Sequence, residues 1–262
     1  MGVLEKVLSL DLEDEDYLYR IQRGARIVYV SVLYGGFIPT TDRTDSSRIL
    51  EKLRTLPVWD KQWSTLTITH TSGVVSFLED TFEPHRLSHL PIRIPSPPYY
   101  NFLDLVVVDR ISDRVSLISF EGNQYILKIA RFRHELKALY TEIMAYSTLN
   151  EFSFAPNLLG YVYEETEDRV IGFLIEALNG RHPNVEDLEI CRHAMLELHS
   201  RGVVHGDLNK FNIVIEGTKP KFIDFEAASF QDDNSYKKLE LEETEQLAQK
   251  LADVSGIGDR GK

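Results

Sequence analysis

The stretch His205-Gly-Asp-Leu-Asn-Lys-Phe-Asn212, with Phe222-Ile-Asp-Phe-Glu226 ten residues after it, decides the fold of this chain. The first stretch follows a helical pattern that ends at Gly202, so we expect it to form a loop. The apolar residues Ile213-Val-Ile215 then enter a strand, and a turn at Glu216-Gly217 leads the chain back into the second stretch. The two stretches are therefore predicted to lie side by side in a hairpin.

Three oxygen-bearing side chains belong to these stretches. Asn212 and Asp224 are hard oxygen ligands of the kind that Mg²⁺ uses when it bridges nucleotide phosphates. Asp207 is then left to orient or deprotonate a hydroxyl group. Phosphoryl transfer needs these parts, namely neutralised charge, a positioned nucleophile and little covalent chemistry by the protein. Each residue alone is often only a loop cap, and the combination carries the prediction.

In this arrangement the sequence resembles the protein-kinase-like superfamily, whose catalytic loop reads His-Arg-Asp-Leu-x-x-x-x-Asn and whose metal loop reads Asp-Phe-Gly. With Gly206 after the histidine and Glu226 after Asp-Phe, it is similar to the small-molecule branch of aminoglycoside and choline phosphotransferases. It also resembles small kinase-like proteins of filamentous fungi. The resemblance covers roughly residues 100 to 228, and it implies ATP and Mg²⁺ as cofactors, with Asp207 as the catalytic residue and Asn212 and Asp224 as the metal ligands.

The resemblance also extends upstream. Lys128 in Tyr125-Ile-Leu-Lys-Ile-Ala130 matches the strand lysine that contacts the nucleotide phosphates in the superfamily. Glu142 matches the helix glutamate that orients this lysine. Glu135 competes for that role, because seven residues are two helical turns and both glutamates face the same way. We prefer Glu142, which lies deeper in the helix.

The segment Ile175-Glu-Ala-Leu178 matches the hinge whose backbone holds adenine, so Glu176 and Leu178 complete the predicted nucleotide site. One element of the superfamily is missing. Ile111-Ser-Asp-Arg-Val115 stands where a glycine-rich loop would cover the phosphates, and we expect Ser112, Arg114 and backbone N–H groups to compensate. The chain after Glu226 has no Ala-Pro-Glu element, which argues against a conventional kinase of protein substrates.

Charge and cysteine content narrow the remaining possibilities. The chain has 262 residues with 29 Lys and Arg against 41 Asp and Glu, a formal charge of −12, so non-specific nucleic-acid binding is disfavoured. The single cysteine, Cys191, excludes an intramolecular disulfide and is expected to be a buried apolar residue. No export signal or membrane-spanning stretch is evident, so we expect a cytoplasmic protein without a membrane partner.

Other conspicuous residues have simpler explanations than chemistry. His193 and His199 are six residues apart and point about 120° away from each other on a helix, so a zinc site is disfavoured, and His205 is expected to brace the catalytic loop. The acidic stretches Asp11–Asp16 and Glu240–Glu245 are interpreted as solvated faces. Trp59, Trp63 and Phe77 are interpreted as packing residues rather than ligand-stacking ones.

The chain is predicted to divide at the proline-rich connector Leu90–Pro98. Residues 1–99 are an α+β N-terminal extension without assignable chemistry, and residues 100–262 are the kinase-like domain, with an N-lobe at 100–178 and a reduced C-lobe at 179–262. The fold class is thus α+β, a bilobal protein-kinase-like fold with a reduced C-lobe behind an N-terminal extension. Hydrophobic periodicity predicts strands at 26–33, 64–70, 74–78, 103–111, 115–120, 124–130, 158–164 and 170–176 and helices at 46–56, 134–149, 184–202 and 238–252.

The function expected from these features is transfer of the γ-phosphate of ATP to a hydroxyl of a small molecule. Two alternatives remain open at this point. The first is a pseudokinase that binds a partner without transferring phosphate, and the second is a minimal atypical protein Ser/Thr kinase. A protein partner is expected, where there is one, at the N-terminal extension.

Overall fold

The computed structural model describes residues 4–34, 36–71, 74–91 and 96–255 of the chain. By compactness the chain forms two units. Unit 1 comprises Met1–Arg86 together with Arg131–Arg133 and Glu164–Arg169, and unit 2 comprises the other residues. Residues 92–95 of the predicted connector, the turn residues 72–73 and the tail from 256 onward lie outside the described residues. The division at residue 99 stays a prediction.

Unit 1 is a twisted sheet of five strands that carries one helix. Its strands follow the order β1-β2-β3-β4-β5, and all neighbours are antiparallel except β3 and β4. Asp45 caps the helix by accepting hydrogen bonds from the backbone N–H groups of Ser47 and Arg48. The bounds are Glu5–Leu12 for β1, Tyr17–Arg23 for β2, Arg26–Val32 for β3, Ser46–Leu53 for α1, Thr65–Thr71 for β4 and Val74–Glu79 for β5. Trp59 and Trp63 are buried in the core of this unit.

The first part of unit 2 is a mixed six-stranded sheet in the order β6-β10-β11-β9-β8-β7, with one helix between β9 and β10. Its strands are antiparallel except that β6 runs parallel to β10. The bounds are Tyr99–Asn101 for β6, Val106–Arg110 for β7, Val115–Phe120 for β8, Asn123–Ile129 for β9, Leu136–Thr148 for α2, Leu158–Tyr163 for β10 and Val170–Glu176 for β11. Lys128 therefore lies on a central strand of the sheet, and Glu142 lies on α2.

The second part of unit 2 contains two helices and two short strand pairs. Asn184 begins the first helical segment with a capping box that it completes with Asp187. Strand β13 pairs with β14, and β12 pairs with β15, both antiparallel. The bounds are Leu188–Ser200 for α3, Val203–Val204 for β12, Ile213–Glu216 for β13, Lys219–Phe222 for β14, Ser229–Phe230 for β15 and Tyr236–Ala252 for α4. The residues that the structure describes include no helix with the length and apolar character needed to cross a membrane.

The structure differs from the expected elements in a few places. Strands β1, β2 and β6 were not predicted; in β1, Leu8, Leu10 and Leu12 do alternate with polar residues, and β6 has only three residues. Leu103 and Asp104, expected in the strand at 103–111, belong to the 3-10 turn Phe102–Asp104. The spacing of Tyr140 from Leu136 and Ile143 predicts that it is buried on the apolar side of α2, but it is exposed.

Candidate active site

The predicted catalytic loop connects β12 to β13, and Gly206 gives it its shape. Gly206 has φ +81°, and a Cβ atom at this position would lie 2.0 Å from the carbonyl oxygen of Ala227. Only glycine fits such a backbone without strain and without a clash. The sequence therefore has glycine before Asp207 because the chain of the following segment passes directly against the loop.

His205 is buried beneath the same loop and braces it, as expected. Its Nε2 lies 2.9 Å from the carbonyl oxygen of Ile223, and its ring packs against that of Phe225 with centroids 4.8 Å apart. The ring of Phe225 also contacts Tyr146 of α2 at 5.3 Å between centroids. These contacts fix the residues on both sides of Asp224, whose φ of 67° lies in the left-handed region.

The hairpin of β13 and β14 brings the predicted metal ligands together. The backbone N–H of Ile223 donates to the carbonyl oxygen of Asn212 at 3.0 Å. The Asn212 amide nitrogen donates to the carbonyl oxygen of Asp207 at 2.8 Å and lies 3.5 Å from Oδ2 of the same residue. The amide oxygen of Asn212 is thereby left as its ligand atom. Asp207 itself is exposed, as a group that meets an acceptor has to be.

Lys128 is the centre of the charged cluster. Its Nζ lies 2.5 Å from Oε2 of Glu142, 2.6 Å from Oδ1 of Asp224 and 2.8 Å from Oε1 of Glu226. Burial alone lowers the pKa of Lys128, but the attraction of these three carboxylates outweighs it and holds the pKa above its usual value. Glu142, and not Glu135, pairs with the lysine. Burial raises the pKa of Glu142, and Lys128 opposes the rise.

A cavity of about 330 Å³ brings most of the predicted site residues together. It is lined by Lys128, Glu142, Glu176, Leu178, Asn212 and Asp224, together with apolar side chains from β8, β9 and β13. Asp207 is not among the lining residues and adjoins the cavity through Asn212. The size and mixed lining fit a nucleotide.

The hinge end of this cavity differs in detail from the expectation. The Glu176 carboxylate accepts hydrogen bonds from the Asn157 side chain at 2.7 Å and from its backbone N–H at 3.0 Å. The Glu176 N–H donates to the Asn157 carbonyl oxygen at 3.2 Å. The Glu176 side chain and N–H thus hold the loop before β10, so any base contact made by this residue falls to its carbonyl oxygen. We still predict a base contact for Leu178.

Glu226 has a larger part in the site than its sequence position indicated. Besides Lys128, it contacts the guanidinium of Arg114, with Nη1 3.1 Å from Oε1. The carboxylate oxygens of Glu142, Asp224 and Glu226 lie within 4.8 Å of one another, and the Lys128 ammonium group is their counter-ion. The predicted metal ligands Asn212 and Asp224 both line the cavity and offer oxygen atoms, which fit Mg²⁺.

Sequence reasoning missed Glu243. The acidic stretch Glu240–Glu245 was interpreted as a solvated face, which is wrong for this residue because its side chain is buried. Its Oε1 accepts the backbone N–H of Gly206 at 2.6 Å, and its Oε2 lies 2.9 Å from Nε2 of His199. Helix α4 thereby braces the catalytic loop. The missed signal is the helical spacing that puts Glu243 on the same face as Tyr236 and Leu247, both of which are buried.

Cys191 is a packing residue, as expected. It is buried in the core of unit 2 beside Met195 and Leu198. Burial raises the pKa of its thiol to about 12, so the thiolate is not available as a nucleophile near neutral pH.

Residues 175–242 match the RIO domain family. The matched segment contains the hinge, the catalytic loop, the hairpin and the first part of α4. It begins after Lys128 and Glu142, so the contact between these two residues is an observation separate from the match, whereas Asp224 and Glu226 lie within it.

Two curated relatives match shorter parts of the chain. The KEOPS complex subunit Bud32 of Pyrococcus abyssi (strain GE5 / Orsay) is 35% identical over 82 residues, which are 28% of this chain and 37% of the relative. A probable bifunctional tRNA threonylcarbamoyladenosine biosynthesis protein of Methanothermobacter thermautotrophicus (strain ATCC 29096 / DSM 1053 / JCM 10044 / NBRC 100330 / Delta H) is 44% identical over 52 residues, 19% of this chain and 10% of the relative. The chain thus spans little more than a third of the first relative and a tenth of the second.

The fold class is confirmed: the chain is α+β, with a kinase-like part whose C-terminal section has few helices. The matches to the RIO domain family and to Bud32 support the predicted class of enzyme, a kinase-like phosphotransferase. The small-molecule branch of the superfamily is not supported. The roles of the individual site residues stay predictions.

Proposed function

We propose that this chain is a minimal atypical protein kinase, which transfers the γ-phosphate of ATP to a Ser or Thr hydroxyl of a protein. The observation that carries the proposal is the contact of Lys128 Nζ with both Glu142 and Asp224, at 2.5 and 2.6 Å, beside a nucleotide-sized cavity. Burial of a lysine costs free energy, and most lysines are exposed, so a lysine buried among carboxylates indicates a functional site. The RIO domain match supports the protein-kinase alternative over the small-molecule acceptor.

Each residue has a defined task in this proposal. Lys128 binds phosphate oxygens, and Glu142 holds Lys128 in place. Asp207 accepts the hydrogen bond of the acceptor hydroxyl and takes its proton, because its carboxylate is exposed and its backbone is fixed by His205 and Asn212. Asn212 and Asp224 supply oxygen ligands to Mg²⁺. When bound, the metal ion neutralises charge on the phosphates.

The names of the relatives guide the choice of partner. One relative is a subunit of the KEOPS complex, and the other is a tRNA threonylcarbamoyladenosine biosynthesis protein. We infer that this chain also works with protein partners, and that tRNA belongs to the process rather than to the kinase site. This replaces the small-molecule acceptor as the main proposal.

Asp207→Asn is the decisive variant. With radiolabelled ATP, Mg²⁺ and either the chain itself or generic protein substrates, we expect it to lower phosphoryl transfer about a thousandfold, because the base is lost. ATP affinity should stay unchanged. Asp232→Asn, an exposed aspartate after the metal loop, is the matched control and should keep full transfer.

The outcomes separate the candidate functions. Transfer that survives Asp207→Asn undiminished removes Asp207 from its role. A wild-type chain that binds ATP and transfers nothing is the pseudokinase. A wild-type chain with no nucleotide-dependent thermal shift at about 1 mM ATP contradicts both, since nucleotide enzymes bind below that level.

A small-molecule acceptor remains the second candidate, and the observation that favours it is the pair of Gly206 and Glu226. Pooled metabolites added in place of protein test it directly. Labelled small molecules without labelled protein favour this candidate over the protein kinase.

A further inference from the structure

The turn that stands in place of the glycine-rich loop uses four of its backbone N–H groups within itself. The N–H groups of Ile111 and Ser112 both donate to the carbonyl oxygen of Val115 at 3.0 Å. The N–H groups of Arg114 and Val115 point to the Ser112 hydroxyl oxygen at 3.4 and 3.2 Å. Phosphate loops bind through free backbone N–H groups, and these four are used inside the turn.

The side chain of Arg114 points from this turn into the charged cluster. Its Nε donates to the carbonyl oxygen of Ile129 at 3.1 Å, next to Lys128 on β9, and lies 3.7 Å from Glu135. Its Nη1 lies 3.1 Å from Oε1 of Glu226. The Arg114 side chain is 19% exposed, so its position is set by these contacts rather than by solvent.

Lys128 and Arg114 meet at a single oxygen atom. Oε1 of Glu226 lies 2.8 Å from the lysine Nζ and 3.1 Å from the arginine Nη1. A phosphate oxygen is also an anionic acceptor, and it would accept the same two charge-assisted hydrogen bonds from a lysine and an arginine. Glu226 is also the most accessible of the three carboxylates around Lys128, at 22% against 11% for Asp224 and 2% for Glu142. It is therefore the carboxylate that a ligand displaces most easily.

We propose that Arg114, together with Lys128, binds the phosphate chain of the nucleotide, and that Glu226 occupies this position until the nucleotide arrives. The inference rests on the proposed function, because it names how the same site recognises a nucleoside polyphosphate. The Arg114 side chain supplies hydrogen-bond donors for the phosphates in place of the four backbone N–H groups that the turn uses itself. Glu226 competes with the phosphates and sets the affinity for the nucleotide.

The test measures binding of adenosine, ADP and ATP to the full chain by calorimetry, with Mg²⁺ and with EDTA. In Arg114→Ala we expect ATP affinity to fall about tenfold or more, the equivalent of one lost charge-assisted contact. Adenosine affinity should not change, since adenosine has no phosphate. Arg110→Ala, which removes the same charge from exposed strand β7, is the control and should bind ATP like the wild type.

Further variants exclude a purely structural effect. Arg114→Gln keeps a donor for the Ile129 carbonyl oxygen and should show the same loss for ATP with an unchanged melting temperature. Glu226→Gln should bind ATP more tightly than the wild type in EDTA, because the competing charge is gone. Equal losses for adenosine and ATP in Arg114→Gln, unchanged ATP affinity, or no gain in Glu226→Gln overturn the inference. If the wild type binds ATP but transfers no phosphate, the proposed function fails while these titrations still measure the role of Arg114.

Discussion

At the scale of single residues, Gly206 is the position where backbone geometry and chemistry depend on each other most directly. We expect Gly206→Ala to lower the free energy of unfolding by about 3 kcal/mol, because the left-handed backbone and a clash with the Ala227 carbonyl oxygen add up. Phosphoryl transfer should fall with it, since Asp207 is the next residue. Urea unfolding and the radiolabel assay measure the two effects.

Gly217 offers a matched control for this substitution. It has φ +63° in the turn between β13 and β14, and a Cβ atom there meets nothing within 4 Å. Gly217→Ala should therefore cost only the backbone strain of about 1 kcal/mol and leave phosphoryl transfer intact. Equal destabilisation by the two alanines would mean that the contact with Ala227 does not constrain the loop.

At the scale of elements, the segment between β10 and β11 begins with a buried charged residue, Glu164. Glu164 accepts a hydrogen bond from Arg20 Nε of β2 at 2.7 Å, from Arg169 at 2.8 Å and from the Tyr29 hydroxyl of β3 at 2.9 Å. Burial alone raises the pKa of Glu164, but the two guanidinium groups outweigh it and hold the pKa below its ordinary value of 4.5. A carboxylate with a lowered pKa stabilises the fold above its unfolded-state pKa, and this stability disappears as the pH falls through the folded-state value.

Glu164→Gln should therefore destabilise the chain by about 3 kcal/mol at pH 7, because two buried arginines lose their counter-ion. The difference from the wild type should be constant above about pH 4.5 and shrink below it, as the wild-type carboxyl itself becomes protonated. Denaturant unfolding at pH 7, 5 and 3 measures this. Glu167→Gln, an exposed residue of the same segment, is the control. If the difference in unfolding free energy between the wild type and Glu164→Gln is as large at pH 3 as at pH 7, the loss does not come from the charge.

The elements that were predicted correctly share a cause, and so do those that were missed. Strands such as β9 and β11 are nearly continuous apolar runs, and α3 has an apolar stripe with a cap and a glycine stop, so local pattern determines them. Strand β2 combines aromatic and apolar residues with an arginine, and burial of this arginine depends on a partner far away in sequence. Arg20 is buried on β2 only because Glu164 is its counter-ion.

In the candidate active site, too, the sequence predicts the residues that belong to motifs but not the contacts that depend on packing. Lys128, Glu142, Asn212 and Asp224 stand in motifs of recognisable order, so their meeting at one cavity could be expected from sequence. The bridge from Arg114 to Glu226 spans 112 residues, and the contact of Glu243 with Gly206 spans 37. Helical spacing predicts that Glu243 is buried, but no sequence pattern predicts either contact, because each exists only once the sheet, the hairpin and α4 have packed.

At the scale of the whole molecule, the charge of −12 constrains which partner this chain contacts directly. One cavity of unit 1 is lined by four cations, Arg23, Arg26, Arg54 and Lys61. Each of them lies within 4 Å of a carboxylate, from Glu5, Glu165 or Glu79. Binding a phosphate backbone there requires breaking these pairs against the overall negative field.

We therefore expect the isolated chain not to retain tRNA in a filter-binding assay at about 150 mM salt, although one relative has tRNA in its name. A basic RNA-binding protein of similar size serves as the positive control. Micromolar binding that weakens steeply with salt would contradict this expectation and would mean that the chain presents cations to the RNA in spite of their partners. In that case, Arg54→Glu combined with Lys61→Glu would abolish retention if the cavity of unit 1 is the contact, and Arg110→Glu on unit 2 would not. Absence of retention would agree with the net charge of the chain, which opposes contact with a phosphate backbone.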